Sequence, residues 1–388
     1  SLYVKCQGEK HMVLGKYKKQ EVAFDRDRSM NCHILLLGES GCGKSTMAQK
    51  MMLKIVEEGG TVVTLDIHHV LDDSQILEKY RTYFRTFINT IDVYKDGIPC
   101  KILQPMQYVD GTYEKQIDVV GALTDVFGRA FNLGAIQRAT LRTALNNVSR
   151  SGEYDKQGIS AIGKALASID KDVAKIVMEK IYMITNHNIF ISGDWPVKEG
   201  KINIFRLSKF NLETQKAVAE MLLSYIWRRA MVSGCTGDGI YLFIDECQNL
   251  PCGKNSLLGE ILSEGRKFNV NLLLATQQLM QGHPSVVQQR MAQCGLCLYF
   301  RPGAGQTRTV AKMIDPNGIR EWSSVLHSLS IREFIAVGAL KIDGYSIDHP
   351  LKITSFEEQS DMKKKESPKR NTCRVQRNVF LDVEGIGF

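Results

Sequence analysis

Short apolar runs closed by a glycine or by a polar or charged residue recur along this chain. Ile34-Leu35-Leu36-Leu37 ends at a glycine, Thr61-Val62-Val63-Thr64-Leu65 at Asp66, Ile240-Tyr241-Leu242-Phe243-Ile244 at Asp245-Glu246, and Asn271-Leu272-Leu273-Leu274-Ala275 at Thr276. Such runs are apolar almost throughout rather than alternating, as expected of parallel strands buried on both faces. Lys201–Leu207 and Leu296–Phe300 add two further strand candidates. Residues 12–29 alternate enough for one or two short strands, and 331–354 read as an edge hairpin with Glu333–Gly338 and Tyr345–Ile347 as its arms.

Between these runs the apolar spacing becomes helical. Thr46–Leu53 reads as a helix, as do Glu213–Met231 (apolar at Val218, Met221, Leu222, Tyr225 and Ile226) and residues 256–267. From 74 to 188 helical spacing dominates, over 74–92, 114–149 and 158–185. Its stripes are Leu123, Val126, Phe127, Ala130 and Phe131, then Leu141, Leu145 and Val148, then Ile162, Leu166, Ile169, Val173, Ile176 and Ile181. The division this predicts is 1–73, N-terminal strands and the start of the core; 74–188, a mostly helical insertion acting as a lid or side subdomain; 189–356, the rest of the core; and 357–388, a basic tail. The tail carries Lys363-Lys364-Lys365, Lys369-Arg370, Arg374 and Arg377 before Val379-Phe380-Leu381; the charge run reads as solvated, the apolar end as a segment that docks, on a neighbouring subunit for example.

With 44% hydrophobic and 24% charged residues over 388 positions, the composition is that of a globular protein. A net charge of +8 suits a polyanionic partner without demanding one. No apolar stretch approaches the roughly 18 residues of a membrane span and no signal peptide is visible, so a cytoplasmic location is expected. The chain opens on Ser1 rather than Met, which leaves room for processing or for a missing upstream segment. Ten cysteines are scattered without a secreted-domain framework and read as reduced thiols. Cys294-Gly295-Leu296-Cys297 has a zinc-like spacing but no second pair, and leads into an apolar run, which favours buried strand cysteines.

Chemistry enters at Gly38-Glu39-Ser40-Gly41-Cys42-Gly43-Lys44-Ser45, which matches the phosphate-binding loop G-x-x-x-x-G-K-[ST] between a strand and a helix. The loop Gly38, Glu39, Ser40, Gly41, Cys42, Gly43, Lys44, Ser45 and Thr46 would curl backbone N–H groups around an anion at a helix N-terminus. Lys44 would reach the β- and γ-phosphates and the Ser45 hydroxyl would sit on Mg²⁺. Cys42 lies inside the loop, so a modified thiol and a bound phosphate would exclude one another.

A second group is Asp245-Glu246, two carboxylates at the C-terminal end of a buried strand, where ligands of open α/β sheets bind. Asp245 would hold Mg²⁺, through water, and Glu246 would orient and polarise the attacking water. At the end of the following strand, Gln277 would bond the γ-phosphate or that water. Arg266, at a helix end, is either a cation placed well against the helix dipole or an arginine finger for a neighbouring subunit's nucleotide. Both readings stay open on the residues alone.

The order GESGCGKS, strand ending in Asp, long insertion, YLFIDE, EGRKF, LLLATQQ resembles the HerA/FtsK superfamily of ring-forming DNA motors over roughly residues 12–356. The segment Ile261–Gln277 is similar to the stretch carrying arginine finger and sensor glutamine there and in conjugation coupling ATPases; Arg266 and Gln277 stand eleven apart, in agreement. Tyr299-Phe300-Arg301 resembles the strand after the sensor and makes Arg301 a second finger candidate. Fainter likenesses are Met12–Lys16, Asp66-Ile67-His68, and Leu133-Gly134 with Gln137. Where HerA-like proteins often carry Asp-x-His-Gly-Glu, this chain reads Asp66-Ile67-His68-His69-Val70; no winged-helix module is visible, and an N-terminal barrel is at most truncated.

The resemblance implies an α/β fold: a RecA-like P-loop NTPase core with a mostly parallel sheet, a largely helical insertion, and a C-terminal edge hairpin plus tail. It implies ATP and Mg²⁺ as ligands, a hexameric homo-oligomer, and sequence-independent contact with DNA phosphates. The function implied is a ring-forming ATPase that translocates or unwinds double-stranded DNA for a partner nuclease or other effector. Two alternatives stand beside it. One is a DNA-transfer ATPase of conjugation or type IV secretion; the other is a nucleotide-gated scaffold that activates a partner enzyme in antiphage defence. A hydrolytic Glu246 argues against pure gating.

Overall fold

The computed structural model describes residues 11–67, 71, 74, 76, 78–235, 239–250, 256–278, 289–303 and 305–355. The tail 357–388, the His68–Val70 segment and Cys6, Cys252 and Cys373 lie outside them. The strands are β1 (His11–Tyr17), β2 (Gln20–Asp25), β3 (Ile34–Leu37), β4 (Thr61–Asp66), β5 (Ile88–Asp92), β6 (Ile98–Pro99), β7 (Phe190–Ile191), β8 (Ile202–Arg206), β9 (Ile240–Ile244), β10 (Val270–Thr276), β11 (Leu296–Tyr299), β12 (Glu333–Gly338), β13 (Leu340–Ile342), β14 (Tyr345–Ile347) and β15 (Leu351–Thr354).

Thirteen of these form one sheet in the order β14-β13-β2-β1-β15-β12-β11-β3-β10-β9-β4-β8-β5, while β6 and β7 pair separately. From β11 to β5 every neighbouring pair is parallel. From β11 outward through β12 to β14 every pair is antiparallel. All residues of β3, β4 and β10 are buried. Successive side chains of a strand point to opposite faces. Ile34 and Leu36 therefore join one core layer with Met47, Met51 and Ile55 of helix α1 (Lys44–Glu57), and Leu35 and Leu37 join the other.

That second layer contains the helix Leu212–Ser233, started by Asn211, whose side chain accepts from the Thr214 N–H at 2.9 Å. Most of its circumference is buried because the insertion packs on its outer side. Arg228 ties the two together. It donates to Glu114 at 2.5 Å and to the carbonyls of Ile102 and Gln104 at 3.1 and 2.9 Å. Burial alone would raise the Glu114 carboxyl; the Arg228 fork and the Met106 N–H outweigh it and hold the group below its ordinary range. The Leu133-Gly134…Gln137 pattern is a helix start: the Gln137 side chain accepts from the Gly134 N–H at 3.1 Å, ahead of the helix Ala135–Ser151.

Two elements differ from the sequence reading. Residues 74–92 are not helical throughout: a helix spans Glu78–Arg85 and then Ile88–Asp92 forms β5, which pairs with β8 at the sheet edge. The run Ile88-Asn89-Thr90-Ile91 is rich in β-branched residues, and the open edge of β8 lets it pair. Secondly, Glu333–Gly338 and Tyr345–Ile347 do not pair with each other. β12 lies inside the sheet between β11 and β15, and the edge hairpin is β13–β14, closed by Asp343-Gly344 with φ of 48° and 84°. Two positive φ values in a two-residue loop suit the twist of the flanking strands, and Asp-Gly supplies them.

Candidate nucleotide-hydrolysis site

Parallel strands bring their C-terminal ends to one edge, so register decides which side chains meet there. Thr276 pairs with Leu37 across β10–β3, and Leu274 with Ile244 across β10–β9. Gly38, Asp245-Glu246 and Gln277 consequently leave the sheet side by side. The loop after β3 is stitched to both neighbours: the Gly38 N–H donates to the Thr276 carbonyl at 3.2 Å and the Glu39 N–H to the Arg301 carbonyl at 2.8 Å. A Cβ on Gly38 would stand 2.6 Å from the Phe300 Cβ, so only glycine fits there. Gly41 and Gly43 have φ of 78° and 107°, the left-handed region that glycine enters at no cost.

The residues present fit a nucleoside triphosphate and its Mg²⁺. Helix α1 starts at Gly43 with no side-chain cap, so its first N–H groups and its dipole face the loop mouth. A Cβ at Gly41 would meet nothing within 4 Å, so the space beside that residue is open. Lys44 is buried, and its Nζ donates to the carbonyls of Gly38 and Glu39 at 2.7 and 2.9 Å, curled over the loop it would serve. Ser45, the candidate Mg²⁺ ligand, is exposed at the mouth. Cys42 is buried, and burial pushes its thiol up, so it is held as the neutral, unreactive form.

Glu246 takes a left-handed backbone, φ 50° and ψ 45°, and its N–H donates to Asp245 Oδ1 at 3.0 Å. Gln277 Nε2 donates to one Glu246 carboxylate oxygen and Gln248 Nε2 to the other. Gln248 Oε1 in turn accepts from the buried Thr276 hydroxyl at 2.7 Å. The carboxylate is thus gripped from two strand ends, with Gln277 directly on it. Gln248 escaped the sequence reading. Its signal was its place two residues after Glu246, where the short helical turn Cys247–Asn249 swings it back.

The two arginines lie at different ends of the sheet. Arg266 sits in the turn Gly265–Phe268 just before β10, at the N-terminal edge, and its guanidinium donates to the Met30 carbonyl at 2.7 Å. The length of β10, seven residues, separates it from Gln277, about 20 Å at some 3.3 Å per residue. Arg266 is therefore not part of its own chain's group. Arg301, by contrast, follows β11 at the nucleotide edge and ion-pairs with Glu39 of its own loop. Cys294 and Cys297 are buried, and among the described residues no group of three or more metal-ligating side chains occurs. Among these residues, too, no helix is long and apolar enough to cross a membrane.

Fold and loop together define a P-loop NTPase with a RecA-like sheet. The family described as "Helicase HerA, central domain" matches residues 12–226, more than half of the chain. The chain belongs to that family and is a HerA-type P-loop ATPase. No curated protein matches it in sequence. Among solved structures it is similar to VirB4 of Thermoanaerobacter pseudethanolicus, with TM-score 0.66 and 15% identity over 92% of this chain and 98% of that one. It is also similar to the plasmid coupling protein TrwB in complex with the non-hydrolysable ATP analogue ADPNP (TM-score 0.59, 12% identity, 86% and 87% covered). The bacterial conjugative coupling protein TrwBdeltaN70 in its unbound form gives TM-score 0.57 at 12% identity, with 89% and 90% covered. At such identities these likenesses concern the fold.

Proposed function

We propose that this chain is a subunit of a ring-forming motor that hydrolyses ATP at subunit interfaces to move along double-stranded DNA on behalf of a nuclease or other effector. The observation that carries the reading is the separation of the two halves of the site. Lys44, Asp245, Glu246 and Gln277 gather at the C-terminal edge of the sheet, while Arg266 projects from the opposite edge. An arginine that cannot serve its own loop is suited to the loop of a neighbour.

Within one subunit, Lys44 would release the Gly38 and Glu39 carbonyls to neutralise the β- and γ-phosphates. Ser45 and Asp245 would hold Mg²⁺, whose charge would offset the negative charge that develops in the transition state. Glu246, gripped by Gln277 and Gln248, would accept a hydrogen bond from the attacking water and polarise it. Gln277 contacts that carboxylate directly, so a change at the γ-phosphate would be felt at the end of β10. The neighbour's Arg266 would stabilise charge on the transferred phosphoryl group. ADPNP in TrwB supports ATP as the ligand.

Phosphate release with and without long double-stranded DNA tests the reading. DNA should stimulate turnover, and Glu246→Gln should lower it by about 10² to 10³-fold. Mixing Arg266→Ala with Lys44→Ala subunits should recover part of the activity, because some interfaces then pair an intact loop with an intact arginine. No recovery at any ratio would exclude the shared site. Turnover indifferent to DNA, with a partner enzyme switched on by a non-hydrolysable analogue, would instead establish the scaffold.

A further inference from the structure

Eight non-glycine residues among those described have a positive φ. Lys18, Lys19 and Asp343 form two-residue hairpin loops, where such angles are required. Asn132, Asn188 and Asn269 are of the type that tolerates them best. Two are left, Glu246 with φ 50° and Arg332 with φ 70°, the latter at the third position of the turn Ser330–Glu333, which the Glu333 N–H closes on the Ser330 carbonyl at 3.0 Å and where glycine is the usual residue. Backbone held in this region by an ordinary side chain clusters at functional sites. Glu246 is the candidate for water activation; Arg332 belongs to none of the motifs read from the sequence.

Topology brings Arg332 to the same place. β12 runs antiparallel to β11 with Ile335 opposite Tyr299, and Tyr299 pairs with Leu37 of β3. The residue ahead of β12 therefore lies at the edge from which the phosphate loop departs. Its N–H donates to the Cys42 carbonyl at 3.1 Å, and its carbonyl accepts from the Ser355 N–H at 2.9 Å. These bonds clamp Arg332 between the loop and the end of β15. A Cβ built on Gly43 would stand 3.7 Å from the Arg332 N, Cα and Cγ alike, so the arginine stem lies along the loop where helix α1 begins. The adjacent Glu333 carboxylate is engaged elsewhere, by the Ser330 N–H at 2.8 Å and Lys352 Nζ at 3.0 Å.

Glycine would adopt this backbone without strain. With an arginine here instead, the turn places a cationic side chain whose stem lies against the phosphate loop. From these observations we infer that Arg332 is a nucleotide-binding residue acting in cis, whose guanidinium grips the α- and β-phosphates beside Gly43. The loop N–H groups cradle those two phosphates, and the planar fork matches their oxygens. Lys44 is left for the β- and γ-phosphates. The inference rests on the ATPase reading and adds to it a cation from outside the loop motif.

Binding of ADP and of a non-hydrolysable ATP analogue to the full chain, with thermal melting alongside, tests it. Arg332→Gly keeps the backbone and removes only the side chain, so it should melt at or above the wild-type temperature. It should bind both nucleotides about tenfold more weakly, the scale of one charge-assisted contact, and Arg332→Lys should recover part of the loss. Wild-type affinity for both ligands in Arg332→Gly would overturn the inference, while the unchanged melt would show that folding was not the cause. A loss confined to the triphosphate analogue would overturn the placement at the α- and β-phosphates. Lys44→Ala separates this from the parent reading: if that variant binds both ligands like wild type, the phosphate-loop assignment itself fails and this inference falls with it.

Discussion

At the C-terminal edge of the parallel strands, backbone strain and unspent hydrogen-bonding capacity accumulate. Glu246 has a left-handed φ there, helix α1 begins without a side-chain cap, and Lys44 curls back on loop carbonyls. The N-terminal edge is the reverse. Arg26 donates to the Tyr241 hydroxyl at 3.2 Å and ion-pairs with Glu58, and burial pushes the Tyr241 hydroxyl up to about 12. His33 Nδ1 accepts from the Leu272 N–H at 3.0 Å beneath the turn that carries Arg266. One edge is satisfied by its own residues; the other is built to be completed by a ligand. Arg266 is the exception on the satisfied edge, since it is exposed and its guanidinium donates to a backbone carbonyl, that of Met30, rather than to a carboxylate. The contrast teaches that a site of this kind is read from which edge each residue occupies, not from its nearness in sequence.

The sharpest test of the contrast is Arg266→Ala. If the satisfied edge faces a neighbour's nucleotide, turnover of the assembled protein should fall about 10³-fold while affinity for a non-hydrolysable analogue holds. Steady-state phosphate release against titration calorimetry would measure the two quantities, and equal losses in both would put Arg266 back among structural cations. Glu246→Gln comes next, with a loss of about 10² to 10³-fold in turnover and intact nucleotide binding. A variant turning over within twofold of wild type would mean that another group activates the water.

A third test addresses stability at the satisfied edge. Burial holds the His33 imidazole at about 4, against an ordinary value of 6.5. Because the folded-state value is the lower, the unfolded chain takes up the proton first. Stability present above pH 6.5 should drain away as the pH falls toward 4, by about 2 kcal/mol between pH 7.5 and 5. Urea melts across that window would record it, and His33→Gln should begin less stable but flatten the slope. An unchanged slope in that variant would assign the acid sensitivity elsewhere. The smallest expected effect is at Gln248→Ala, which removes one of the two amides on Glu246. A roughly tenfold drop in turnover at unchanged affinity would mark a positioning role, and no change in either would leave Gln277 as the sole grip.

Much of the nucleotide edge was legible without coordinates because its parts are local. A phosphate loop is a backbone shape set by a few consecutive residues, and a strand ending in Asp245-Glu246 announces itself by its apolar run. β5 was misread because helical and strand periodicities are hard to separate over so few residues, and the open edge of β8 settled the matter.

What sequence by itself determined was therefore the loop Gly38–Thr46, the acidic strand end and the all-buried strands between which they sit. Tertiary structure alone decided that Gln248 turns back onto Glu246, that Arg301 pairs with Glu39, that Arg266 lies at the far edge, and that Arg332 is clamped against Cys42 and Gly43. The reason is strand order. β12 reaches the phosphate loop only through β11 and β3, a neighbourhood spanning about 300 residues of chain, and no local pattern encodes a contact of that separation.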